Sequence, residues 1–98
     1  MRKVRISNTV WNKLDELTNY LTENFKLSEE AAVRRIDRIV VFLAALSNPA
    51  DYALCRFKRW RVLGYRCVVF EKSWVFAYEI IDDGVIVRDM SHAATLIE

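Results

Sequence analysis

Residues 74–90 read WVFAYEIIDDGVIVRDM, and this stretch decides the fold. In the run Trp74 to Ile81, strand alternation puts Trp74, Phe76, Tyr78 and Ile80 on one face and Val75, Ala77, Glu79 and Ile81 on the other. Val85 to Met90 is a second run of the same kind. Asp82-Asp83-Gly84 between them is a hairpin signal, since a short Asp/Gly loop joins antiparallel strands whose side chains alternate. Upstream, Arg66 to Phe70 is a third strand, turned by Glu71-Lys72-Ser73. The result is an antiparallel meander with one bulky, chargeless face that needs a cover.

The N-terminal half supplies that cover. Val4-Arg5-Ile6 alternates as a short strand burying Val4 and Ile6. Ser7 and Asn8 are both good N-caps, and behind them Val10, Leu14, Leu17, Leu21 and Phe25 recur every three or four residues, which predicts a helix over 9–24. Lys26-Leu27-Ser28 is a break. Ser28 caps a second helix whose first turn holds Glu29 and Glu30, where carboxylates favour the positive end of the helix dipole. Its apolar stripe is Ala32, Val33, Ile36, Ile39, Val40, Leu43 and Leu46, with Arg34, Arg35 and Arg38 opposite, and Asn48-Pro49 stops it. Strand, helix hairpin and meander make an α+β fold in which the helices pack on one face of the sheet. The opposite face is then expected to be free for function, with Arg61, Arg66, Glu79, Arg88, Asp89 and His92 on or near it.

Size and composition set the bounds. Ninety-eight residues make a single domain spanning 1–98. A chain 53% hydrophobic and 29% charged is globular, and a net charge of +2 means that any affinity for a polyanion must come from how the cations are distributed. They cluster at Arg2, Lys3 and Arg5, at Arg34, Arg35 and Arg38, and above all over 56–70, RFKRWRVLGYRCVVF. That stretch holds five cations, no carboxylate, and Trp60 and Tyr65 among them. Cations on or beside a strand with aromatics between them suit RNA or DNA, with Arg59, Arg61 and Arg66 expected to alternate toward one site; the plain alternative is a solvated Lys/Arg stripe on an edge strand. Cys55 and Cys67 lack CxxC spacing and a histidine cluster, so neither a zinc site nor a redox motif is indicated, and two free, buried thiols are expected. The N-terminus has no apolar signal-peptide core, and the longest apolar run, Ile39 to Leu46, is too short to span a bilayer. The expectation is a soluble cytoplasmic protein that needs no membrane.

Several motifs together resemble the RelE/ParE superfamily of type II toxin–antitoxin toxins, which includes plasmid stabilisation proteins. They are Leu63-Gly64-Tyr65-Arg66 entering a strand, Trp74-Val75-Phe76-Ala77-Tyr78-Glu79-Ile80 as the next, Asp82-Asp83-Gly84-Val85-Ile86-Val87 as hairpin and last strand, and Met90-Ser91-His92 at its end. The resemblance spans essentially the whole chain. It implies a cognate antitoxin partner and one of two activities. RelE-like members are endoribonucleases that cut mRNA on the ribosome without metal or cofactor, and so inhibit translation. ParE-like members share the fold and act on DNA gyrase. A degenerate toxin that only binds its antitoxin is a third reading.

Carried over residue by residue, the resemblance makes Arg66 the phosphate-contacting arginine, and a guanidinium suits a pentavalent phosphoryl group because it stays charged and forks two oxygens. His92 becomes a general acid or base, histidine being the side chain that exchanges protons near neutral pH. Lys58, Arg59 and Arg61 hold RNA backbone, and Glu71 and Glu79 are candidate bases. Two departures stand out. Asp89 sits where many relatives carry arginine, a role that Arg88 takes if the strand carries a bulge. The tail from His92 to Glu98 has no aromatic where the nucleases often have a tyrosine.

Overall fold

A computed structural model describes residues 3–46 and 53–93. The Asn48-Pro49 stop and the tail beyond Ala93 lie outside the described residues. The chain runs β1 (Lys3–Ile6), α1 (Asn8–Asn24), α2 (Glu29–Ala44), α3 (Lys58–Arg61), β2 (Arg66–Phe70), β3 (Trp74–Ile81) and β4 (Gly84–His92). The α+β expectation is met: strand, helix hairpin and meander occur in that order, with α1 and α2 on one face. The sheet order is β1-β4-β3-β2, and β1 joins the meander parallel to β4. No helix among the described residues is long and apolar enough to cross a membrane.

Local chemistry explains the helix limits. The Ser7 Oγ accepts from the Val10 N–H at 3.4 Å and the Ser28 Oγ from the Ala31 N–H at 3.1 Å, satisfying donors that a helix start leaves open. Lys26 turns the chain out of α1 at φ 57, and the Leu27 N–H donates to the Leu21 carbonyl at 3.2 Å. Most of the sequence stripe is buried: Val10, Leu14, Ile39, Leu43 and Leu46 pack on Val68, Phe76, Tyr78, Val85, Val87 and Met90. Val33 and Phe25 depart from it, at 49% and 60% exposed.

The register of β4 holds a decisive irregularity. Tyr78 pairs with Val87 and Ala77 with Asp89, so Arg88 is an extra residue, a β-bulge. Strict alternation from Val85 would have driven the Asp89 carboxylate into the apolar core. The bulge shifts the parity instead, so that Met90 enters the core beside Val85 and Val87 and Asp89 leaves it. The Ser7 hydroxyl donates to the Arg88 carbonyl at 3.1 Å, so one side chain both caps α1 and satisfies the bulge.

Gly84 follows from a close approach, which its reading as a hairpin residue did not anticipate. Neither it nor Asp82 nor Asp83 has a positive φ. The parallel pairing starts at Lys3↔Gly84, and a Cβ at Gly84 would lie 1.9 Å from the Lys3 carbonyl oxygen.

Three expectations need correction. The sheet face away from α1 and α2 is covered in part, since Trp60 of α3 and Cys55 pack on Val75 and Ala77, flanked by Phe57, Tyr65 and Cys67, while Val69 stays 53% exposed. Lys58–Arg61 is a helical turn where the sequence suggested cations on or beside a strand; four residues with one buried side chain carry no periodicity to read. Cys55 and Cys67 form a disulfide, with Cα atoms 4.8 Å apart. Spacing could not show this, because the two meet only when residues 53–55 fold back antiparallel along β2. There the Cys55 N–H donates to Tyr65 O at 2.9 Å and the Cys67 N–H to Ala53 O at 3.3 Å.

Candidate functional site

An open cleft of about 850 Å³ lies between the helix hairpin and the end of the sheet that carries the β2–β3 turn. Its floor is Leu17, Leu21, Ile39, Phe70 and Met90. The walls carry Lys13, Glu16 and Tyr20 from α1 and Arg35 and Arg38 from α2, and Glu71, Ser73, Trp74 and His92 close the sheet side.

His92, the last residue of β4, pairs across the ladder with Trp74, and the two rings meet edge to face with centroids 5.1 Å apart. Tyr20 meets Phe25 in the same manner at 5.3 Å on the opposite lip. Glu71 is ion-paired with Arg38, which ties the β2–β3 turn to α2. That turn is unusual. Glu71 and Lys72 both adopt left-handed backbone, at φ 51 and 63, and the Ser73 N–H donates to Phe70 O at 3.2 Å. Two positive φ values define a type I′ turn, which normally takes Asn or Gly. Non-glycine residues held there cost on the order of 1–2 kcal/mol each, and such strain concentrates at functional sites.

The other sequence candidates lie elsewhere. Arg66 opens β2 opposite Tyr78, on the parity that faces the helices; it does not lie on the far face as strict reading of the meander expected. His92 shares that parity through Trp74. Four residues of strand separate the Arg66 level from the Phe70 level that His92 shares, roughly 13 Å along the sheet. Arg88, in the bulge, does face away from the helices, and there its Nε and Nη2 donate to Glu79 Oε1 at 3.0 and 2.7 Å. Lys58, Arg59 and Arg61 stand on α3 over that same far face; the Arg59 guanidinium lies 4.9 Å from the Trp60 ring centroid, and Arg61 Nε donates to Cys55 O at 3.4 Å. Thus Arg59, Arg61 and Arg66 do not alternate along one strand toward a common point.

Asp89 has a structural occupation. Because β1 pairs only as far as Val87, this part of β4 is a bare sheet edge, reachable from both sides. Lys13 of α1 donates to Asp89 Oδ1 at 2.6 Å from one side, and Trp60 Nε1 donates to Oδ2 at 3.3 Å from the other. The carboxylate joins α1, β4 and α3, and an arginine there would face a lysine.

The structure therefore brings Glu71 and His92 to one cleft, pairs Arg88 with Glu79 on the far face, and keeps Arg66 apart from both. Sequence reading missed Tyr20, Glu16, Arg35 and Arg38 as residues that line the cleft with His92. The i, i+3 spacing of Arg35 and Arg38 places them on one helix face, but nothing local says that this face overhangs the β2–β3 turn. Among the described residues no group of three His, Cys, Asp or Glu side chains could hold a metal ion. No protein-family model matches the chain, and no curated protein matches its sequence.

Proposed function

We propose that the chain is the toxin of a type II toxin–antitoxin module of the RelE/ParE kind, working in the cytoplasm as a metal-independent endoribonuclease on ribosome-bound mRNA. The observation that carries this reading is the convergence on one open cleft of His92 and Glu71, two arginines, and the rings of Trp74 and Tyr20. RNA cleavage by the ribose 2′-OH needs a base to take the hydroxyl proton, an acid to protonate the leaving oxygen, and a cation for the charge that builds on the phosphoryl oxygens. Glu71 and His92 supply the first two, and Arg35 and Arg38 the third. Trp74 and Tyr20 offer faces on which an unstacked base can rest, the mode by which proteins grip single-stranded RNA. Tyr20 thereby takes the stacking part that a tyrosine plays in the nucleases the chain resembles. The antitoxin is expected on the exposed aromatic lip of the cleft, where Tyr20 and Phe25 meet and are 50% and 60% exposed.

A second reading has its own observation. Arg66 and Arg88, the arginines that the resemblance assigns to phosphate, stand away from the cleft, and Arg88 is engaged by Glu79. A fold that binds without cutting, as in a ParE-like inhibitor of DNA gyrase, would need neither. The test is reporter mRNA in a translating extract, run beside a gyrase supercoiling assay. Cleavage by the wild-type chain that is lost in His92→Ala supports the nuclease. Intact mRNA with blocked supercoiling supports the gyrase reading, and activity in neither assay overturns both.

A further inference from the structure

All of Arg56, Lys58, Arg59 and Arg61 lie inside the loop that the Cys55–Cys67 disulfide closes, at a sequence separation of 12. A helix of four residues does not persist by itself. Besides the disulfide, the loop is tied to its base by the Cys55 N–H bond to Tyr65 O, the Cys67 N–H bond to Ala53 O and the Arg61 Nε bond to Cys55 O, and it is seated through Trp60, with Phe57 and Tyr65 beside it and the bond to Asp89; of these only the disulfide is covalent. Residues 53–70 contain no carboxylate. Among the described residues, two acids of this face are already engaged, Glu79 by Arg88 and Asp89 by Lys13 and Trp60. Exposed Leu54, Val62 and Leu63 frame the cations with apolar surface.

We propose that Cys55 and Cys67 are a thiol–disulfide switch that sets the order of this basic loop, and through it the affinity of the α3 face for single-stranded RNA. The disulfide gathers the cations before binding, so that an RNA strand need not collect them from a mobile loop. With the bond reduced, the same charges remain but must be ordered at the cost of binding. This rests on the reading of the 56–70 cations as an RNA-binding segment and not on binding or cleavage in the cleft, which lies on the other side of the sheet.

The exchange balances with a low-molecular-weight disulfide as oxidant. Cys67 is the more exposed of the two, Cys55 being only 1% exposed, so the Cys67 thiolate attacks the reagent and expels one thiol. The Cys55 thiolate then attacks the Cys67 sulfur of the mixed disulfide and expels the second. The two cysteines lose two electrons and two protons, and the reagent leaves as two thiols.

The test is fluorescence anisotropy of a labelled oligouridylate at low salt, with protein poised in oxidised or reduced glutathione and thiols counted by mass spectrometry. The expected result is a Kd weaker by about tenfold or more on reduction, matched by Cys55→Ser/Cys67→Ser in either buffer. Lys58→Gln/Arg59→Gln, which keeps the disulfide, should weaken binding by the oxidised protein and guards against misreading an unfolded double-serine variant. Equal affinity in both redox states, thiols that stay free in oxidised glutathione, or undiminished binding by the charge variant would each overturn the switch. Cleavage of reporter mRNA is scored separately. A chain that cuts mRNA while its oligonucleotide affinity ignores redox state loses the switch and keeps the cleft. One that never cuts but binds in a redox-dependent manner keeps the switch.

Discussion

Replacing Asp89 with alanine removes the acceptor that joins α1, β4 and α3, and the structure sets the size of the effect. Trp60 is 2% exposed, so its indole N–H, now donating to Oδ2 at 3.3 Å, has no ready access to water when the carboxylate goes. A buried donor left without a partner costs roughly 1–3 kcal/mol. The Lys13 pair is short at 2.6 Å, but its side chains are 40% and 25% exposed, so screening holds it to under about 1 kcal/mol. The sum is roughly 1–4 kcal/mol, a fall in Tm on the order of 5–30 °C for a domain of this size. Urea unfolding followed by tryptophan fluorescence measures it. Asp89→Asn, which keeps an acceptor, should lose under about 1 kcal/mol. Asp89→Arg, which restores the side chain the resemblance leads one to expect, should destabilise more than alanine because it meets Lys13. A double-mutant cycle with Trp60→Phe isolates the indole bond, with an expected coupling near 1 kcal/mol. Additive losses, or Asp89→Ala within about 0.5 kcal/mol of wild type, would refute the account of Asp89 as a three-element tie.

Three more expectations follow from single contacts. Gly84→Ala puts a Cβ 1.9 Å from the Lys3 carbonyl oxygen, so β1 should detach; rapid amide hydrogen exchange at Val4 to Ile6 is expected, and protection equal to wild type would contradict it. Lys72→Gly relieves a left-handed residue at φ 63 and should leave stability unchanged or raise it by up to about 1 kcal/mol, whereas a loss beyond that would show the turn is unstrained. Glu71→Gln keeps the turn but removes the proposed base, and should cut mRNA cleavage about 10²–10⁴-fold with little change in Tm. Retained cleavage would move the base to Glu16.

Much of the scaffold was legible because its signals are local. Period-3.6 stripes with serine caps place α1 and α2 to within a residue at their starts, and alternation places β2 and β3 at Arg66–Phe70 and Trp74–Ile81. The candidate site was half legible. His92 and Glu71 stood out as chemistry-bearing residues, yet the partners assigned to them, Arg66 and Arg88, lie elsewhere. A single inserted residue explains part of this: the bulge at Arg88 reverses the parity of everything after it, and one extra residue in a strand leaves no mark in composition.

What the sequence determined by itself was the kind of each element and the apolar face each must bury, since these follow from nearest neighbours along the chain. Tertiary structure alone decided which faces meet. It laid Trp60 on the sheet face expected to be open, and it joined Cys55 to Cys67 across a fold-back of the chain. It set Arg35, Arg38 and Tyr20 across a cleft from His92. Each of these depends on the docking of segments distant in sequence, where burial and hydrogen-bond satisfaction over the whole domain outweigh any local preference.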